Sequence, residues 1–150
     1  MSIERSRNWN PGGGNWLEVL PCLAAEAVAG SAGSYQPRAN ESWSRIYCTQ
    51  ETLTFSQKQS QTDNGLVYAT SIRGFSPADD TTRAAEFLAL TSRGRVLVRF
   101  RDNARLTRLV GTPTEGLEFT CELTTDDTVG GSRGYTVNLT GTFSTSCRYE

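Results

Sequence analysis

Alternation of apolar and polar side chains over the last third of the chain is the feature that most constrains its fold. Four segments carry the alternation, at residues 95–101, 105–110, 117–123 and 135–143. Because successive side chains of a strand point to opposite faces, a period of two gives each segment one buried face and one wetted face. The pattern therefore predicts four consecutive strands in an antiparallel sheet, with a turn at Asp102-Asn103-Ala104 between the first two.

A long hairpin is predicted around Asn64-Gly65. These residues follow Asp63 and separate the extended segments 52–62 and 66–75. Asn-Gly between two extended segments is a strong hairpin signal, because both central residues of the tight turn need a positive φ. Residues 56–62 contain no apolar side chain. A ribbon with nothing apolar to bury is not held on a core, so its distal part is expected to project.

One helix is expected at about residues 77–91. Ser76-Pro77-Ala78-Asp79 provides a capping serine, a proline at the first helical position and an acid in the first turn. The predicted apolar stripe consists of Ala84, Ala85, Phe87 and Leu88, and Arg83 and Glu86 are expected to face water. Gly94 is expected to end the helix.

The other segments are short. In these segments we expect strands at 16–20 and 43–48, one or two helical turns at 23–30 and a polar loop at 31–42. One helix cannot cover both sides of about seven strands, so the sheet must close or fold on itself. The fold class predicted is mainly β (α+β), a small antiparallel β-barrel or sandwich with one flanking α-helix. Residues 16–150 are expected to form this single domain.

Residues 1–15 are predicted to form a flexible N-terminal arm, because Gly12-Gly13-Gly14 has high backbone freedom and nothing to bury. Trp9 is a large aromatic side chain within this arm. It is expected either to fold back on its own domain or to dock on a neighbour.

The absence of histidine is the strongest argument against an enzyme, since histidine is the usual general base near neutral pH. Residues 130–134 match a Gly-x-Ser-x-Gly nucleophile elbow, but that motif needs a strand-to-helix turn and a histidine. We interpret the segment as a glycine-rich hairpin loop. The adjacent Asp126 and Asp127 point apart, which leaves at most a weak cation site. Catalytic, cofactor-binding and metal-binding residues are therefore not expected.

Composition and charge restrict the partners. The net charge of −1 gives no electrostatic case for sequence-specific nucleic-acid binding. The sequence has neither an apolar segment of membrane-spanning length nor a secretory signal at its start, so we expect a protein that matures in the cytoplasm without membrane insertion. In that reducing compartment Cys22, Cys48, Cys121 and Cys147 are expected to be free thiols that act as small apolar residues.

Arginines cluster in and just before the first two of the C-terminal strands, at Arg93, Arg95, Arg99, Arg101, Arg105 and Arg108. If Val96, Val98 and Phe100 face the core, the opposite face carries Arg95, Arg99 and Arg101. Two interpretations remain open. These arginines either form cross-strand ion pairs with Glu118 and Glu122 or meet an acidic surface on another subunit.

The C-terminal pattern consists of residues 98–113, with the step Leu109-Val110-Gly111-Thr112, followed by Gly116-Leu117-Glu118-Phe119 and Gly134-Tyr135-Thr136-Val137. This pattern resembles small structural proteins of tailed bacteriophages and prophages. The predicted order of elements, a β-barrel with one helix and a long polar hairpin, is also similar to the tail-tube fold of phage tails and contractile injection systems.

This resemblance implies a virion structural protein without enzymatic activity or cofactor, most simply a tail-tube subunit that forms stacked rings around a DNA-conducting channel. Such a protein is made in the bacterial host cytoplasm and ends in the virion tail. Its partners would be other copies of itself and other virion proteins. The candidate subunit contacts are Trp9, Lys58, Gln59, Asn64, Arg95, Arg99 and Arg101.

Two alternatives stand beside the tail-tube subunit. The first is a neck or tail-completion protein of the same particle. The second is a monomeric β-barrel that binds a ligand or glycan, in which Trp9, Trp16 and Trp43 would form a stacking platform.

Overall fold

The computed structural model describes residues 12–77, 81–125, 127 and 133–150. Its strands are β1 (Gly14–Pro21), β2 (Ala25–Ala27), β3 (Tyr35–Pro37), β4 (Ser44–Arg45), β5 (Thr54–Thr62), β6 (Gly65–Ser76), β7 (Val96–Asp102), β8 (Thr107–Val110), β9 (Glu118–Thr125), β10 (Arg133–Phe143) and β11 (Arg148–Tyr149), and its helix is α1 (Thr81–Ser92). The prediction of a mainly β protein with one helix is confirmed.

Two antiparallel sheets pack together as a sandwich. Sheet 1 has the strand order β11-β8-β7-β1-β4 and sheet 2 the order β5-β6-β10-β9. Sheet 1 buries Leu17, Val98 and Phe100 against residues of sheet 2 that include Ile72 and Leu139. Neither sheet closes into a barrel, so the sandwich is the correct choice between the two predicted architectures.

The four C-terminal strands do not form a single sheet. β7 and β8 lie in sheet 1, whereas β9 and β10 lie in sheet 2. The chain crosses between the sheets after β8, where the Thr112 N–H donates to the Glu115 carbonyl and Leu117 forms a β-bridge with Val96. Predicting one continuous sheet was wrong because period-two alternation identifies strands without identifying their partners.

A second, smaller core covers the outer face of sheet 1. Leu20 and Leu97 are buried there under Ala24 and Ala25. The predicted helical turns at 23–30 are reduced to a 3₁₀ turn, Cys22–Ala24, followed by β2, and the predicted polar loop contains β3, which pairs with β2. Because β7 is covered on both faces, Val96, Leu97 and Val98 are all buried and the alternation is interrupted there.

Helix α1 lies beside sheet 2 and contacts it mainly through one aromatic residue. Phe87 is buried, with ring centroids 6.1 Å from Phe119 and 4.6 Å from Tyr135. The predicted stripe is wrong for Ala84, Ala85 and Leu88, which are exposed, Leu88 by 70%. Gly94 ends the helix as predicted, with φ of 85° and its N–H bonded to the Thr91 carbonyl. Residues 78–80 of the predicted helix start lie outside the described residues.

The segment assigned to the N-terminal arm joins the sandwich by Gly14 at the latest. β1 begins at Gly14, whose N–H donates to the Leu53 carbonyl, and the Asn103 side chain donates to the Gly12 carbonyl. Residues 1–11, including the candidate contact Trp9, lie outside the described residues. Among the residues described, no helix has the length and apolar character needed to cross a bilayer.

Candidate functional site

The hairpin of β5 and β6 carries three of the candidate contacts. Thr62 pairs with Gly65, so the turn residues are Asp63 and Asn64. Gly65 has φ of 115°, whereas Asn64 does not have a positive φ, so the prediction that both residues adopt one was wrong for Asn64. Lys58, Gln59 and Asn64 are all exposed.

The tip of this hairpin extends beyond the rest of sheet 2. Pairing of β6 with β10 begins at Tyr68, so residues 60–67 form a two-stranded ribbon without a third strand. Leu66 is 45% exposed and lies at the same end of the ribbon as the exposed acid Asp63. The part of the hairpin beyond β10 therefore ends in one apolar and one acidic side chain, whereas residues 56–59, also expected to project, lie opposite β6 residues that pair with β10.

Both edges of sheet 2 are long strands. β5 has 9 residues and β9 has 8, and each pairs on one side only among the described residues. The edges of sheet 1, by contrast, are β11 and β4, with 2 residues each. Unpaired N–H and C=O groups along an extended edge are able to pair with a strand of another chain, which makes β5 and β9 candidate contact surfaces.

The three candidate arginines do not act as one group. Arg99 is half-buried, forms ion pairs with Glu18 at 3.2 Å and Glu150 at 2.9 Å, and lies 4.3 Å over the Trp43 ring. The expected partners Glu118 and Glu122 are wrong, because β9 lies in the other sheet. Glu18 lies opposite Arg99 because β1 pairs with β7, and no local sequence pattern indicates that pairing.

Arg95 and Arg101 occupy different surroundings from Arg99. Arg101 is exposed, and its guanidinium lies 5.6 Å from the centroid of Trp16. Arg95 precedes β7, donates to the Gly116 carbonyl, and shares a hollow with Glu118 and Thr140 of sheet 2. The sequence grouped the three because they alternate along one segment, but the segment becomes a strand only from Val96.

The two described tryptophans of the alternative stacking platform each have a guanidinium over the ring. Arg45 lies 3.7 Å over Trp16, and Arg99 lies over Trp43 as described above. Cation–π contacts of this kind use the ring face that a sugar would stack on. Arg45 was not predicted as a site residue, although its position beside Trp43 on the segment 43–48 was the available signal.

A groove of about 420 Å³ lies between α1 and β4. Its apolar lining includes Ile46, Phe87 and Leu90, and three arginines, Arg45, Arg83 and Arg93, line it as well. Arg83 pairs with Glu86 and Arg93 with Glu41. Within the described part of the chain no carboxylate forms an ion pair with Arg45. The groove thus combines an apolar surface with Arg45, whose guanidinium stacks on Trp16 and forms no ion pair with the described carboxylates.

The motifs that the sequence raised for catalysis and metal binding lie largely outside the described residues. Outside them lie residues 130–132 of the Gly-x-Ser-x-Gly motif, and Asp126 of the adjacent acid pair. β9 and β10 are antiparallel neighbours and Arg133 pairs with Thr125, so this segment joins two strands as predicted. No group of three metal-ligating side chains occurs within the described ranges.

All four cysteines are free and half-buried. Burial raises the pKa of each thiol, most strongly for Cys48, whose pKa rises from 9.0 to about 11. Cys48 packs against Leu53 and the backbone of Gly74, which exclude water from its sulfur. The thiolate is the reactive form, so burial makes these groups poor nucleophiles.

We expect Cys48 to react with a disulfide reagent at pH 8 about 100-fold more slowly than a thiol of the unfolded chain, because a pKa raised by two units lowers the thiolate fraction about that much. The rate should increase tenfold per pH unit up to about pH 11. Timed labelling of the native protein, with Cys48→Ala as control, measures this rate. Denatured protein should titrate four thiols, and finding two disulfides in fresh material would contradict the prediction.

Comparison of the chain with protein-family models, with curated proteins and with solved structures finds no match.

Proposed function

We propose that this chain is a virion structural protein, a tail-tube subunit that assembles into stacked rings around a DNA-conducting channel. The observation that carries the proposal is the combination, in sheet 2, of two long open edges with a hairpin tip that extends past the sandwich. The C-terminal sequence resemblance at residues 98–113 supports the same assignment. The partners proposed are other copies of the chain and other virion proteins, and the location is the virion tail after synthesis in the host cytoplasm.

The strand count of sheet 2 supports closure into a ring. Its four strands are all antiparallel to their neighbours, so β5 and β9 run in opposite directions. If β9 of one copy pairs with β5 of the next, the new pair is also antiparallel and the sheet continues without a change of pattern. Such a contact joins two different surfaces, and contacts of that kind produce rings or open helical filaments.

The solvent-facing side of sheet 2 supports its placement along a water-filled channel. This side also carries the charged Lys58, Arg73, Glu118 and Glu122, but hydroxyl and amide side chains are its majority, namely Thr54, Ser56, Ser71, Thr120, Thr136, Asn138, Thr140 and Thr142. An antiparallel sheet can keep one face on the core and the other in water. A continuous ring of such sheets would therefore have a wetted inner wall.

Negative-stain electron microscopy of the purified protein tests the proposal directly. We expect rings or tubes, and light scattering should show species well above the 16.4 kDa of one chain. Rings that never stack would favour the alternative of a neck or tail-completion protein. A monomer at every concentration, even after a nucleating tail complex is added, would contradict assembly and leave the ligand-binding alternative.

A further inference from the structure

We propose that the groove between α1 and β4 receives the hairpin tip of a second copy of this chain, so that Leu66 of one copy packs in the groove of the next and Asp63 pairs with Arg45. This inference rests on the proposed self-assembly and names the receiving surface. Its basis is the match between the groove and the tip in apolar character, in charge and in accessibility.

The apolar part of the match involves Leu66. Residues 60–66 of the ribbon are exposed, and Leu66 is their only large apolar side chain. A partly exposed leucine at the end of a polar ribbon is stabilised when the rest of its apolar surface is transferred from water to an apolar surface. Ile46, Phe87 and Leu90 provide such a surface in the groove.

The electrostatic part involves one acid and one base. Asp63 is exposed at the turn and forms no ion pair with the described residues of its own chain, and Arg45 likewise lacks an acidic partner among them. Arg45 is also held in place by stacking on Trp16, at 3.7 Å from the ring centroid. A preoriented guanidinium loses less freedom when it binds a carboxylate, and such an ion pair is strengthened when docking removes water.

The position of the groove argues against a contact between the groove and the hairpin tip of the same copy. The groove includes Ser76 at the end of β6, whereas the tip residues Asp63 and Asn64 directly precede the start of that 12-residue strand, so the tip and the groove lie at opposite ends of β6. A tip-to-groove contact between copies therefore joins two different sides of the molecule. Repetition of that contact produces a ring or a filament, as the proposed function requires.

Blocking the groove provides the first test. Ala89 lines the groove, whereas Ala85 is exposed on the same helix and does not line it. We expect Ala89→Trp to reduce assembly at least tenfold, measured by light scattering and electron microscopy, and Ala85→Trp to assemble as the wild type does. Both variants should keep the monomer's melting temperature, which shows that the fold survives.

A charge exchange provides the second test. Asp63→Arg and Arg45→Asp should each weaken assembly about tenfold or more, and the combined variant should recover most of the loss. Arg105→Asp is the control, because Arg105 is also an exposed arginine but does not line the groove. Normal assembly of both the Ala89→Trp and the charge variants would overturn the groove as receiver while leaving the tube proposal standing. A wild-type protein that never assembles would overturn both.

Discussion

Replacing Asp102 by alanine is expected to lower the free energy of unfolding by about 3 kcal/mol, the amount typical of a broken buried ion pair. For a chain of this length the melting temperature should fall by roughly 6–12 °C. The Asp102 carboxylate accepts from the Arg108 guanidinium at 2.6 Å and from the Leu106 N–H at 2.9 Å. The side chains of Asp102 and Arg108 are only 12% and 17% exposed, so water cannot replace either contact fully.

Two further variants separate the charge from the hydrogen bond. Asp102→Asn keeps an acceptor for the Leu106 N–H but loses the charge, so we expect it to cost about half as much as alanine. Changing Asp102 to leucine together with Arg108 to methionine removes both charges, and should recover a large part of the loss. Chemical denaturation measures all three. A change below about 0.5 kcal/mol for Asp102→Ala would mean that the pair behaves as a solvent-screened surface contact.

Asp102 also illustrates how much of the structure could be predicted from the sequence. Its position at the end of a strand and the start of a turn was predicted correctly from the pattern of residues 95–110. Its pairing with Arg108 was not predicted, because the arginines of this segment were all interpreted as surface groups. Local patterns report φ, ψ preferences and the alternation of faces, and these gave the strands, the hairpin and the end of the helix.

The features that could not be predicted from the sequence depend on pairing between residues that are far apart in the chain. The distribution of the C-terminal strands over two sheets depends on which apolar faces meet, and several registers satisfy the same alternation. Arg99 forms ion pairs with two residues that are distant in the chain. Glu18 lies 81 positions away, and the other partner is Glu150. The groove depends on packing of Phe87 alone among the predicted stripe, which fixes α1 with Leu88 outward.

Shortening the hairpin is expected to abolish ring or tube formation while leaving the monomer folded. Replacing Gln61–Leu66 with Asn-Gly keeps the pair Ser60 and Val67 on either side of a two-residue turn, so the register of β5 and β6 is preserved. The removed residues are exposed and lie beyond the third strand, and the monomer's stability should therefore change by no more than about 0.5 kcal/mol. Thermal unfolding of the monomer and electron microscopy of the assembled state measure the two effects.

The expected loss of assembly follows from the entropy cost of ordering the tip and from the burial that a neighbouring copy provides. Ordering each residue of the ribbon costs about 1–2 kcal/mol, and a two-stranded ribbon is at best marginally stable in water. Contact with a neighbouring copy supplies the burial that the isolated subunit lacks at Leu66. A control that changes only Gln61 to serine keeps the hairpin's length and its acid, and should still assemble. If the shortened variant unfolds, the tip stabilises the core instead. If the variant still forms tubes, the contact between subunits lies elsewhere, and the open edges of β5 and β9 are the remaining surfaces.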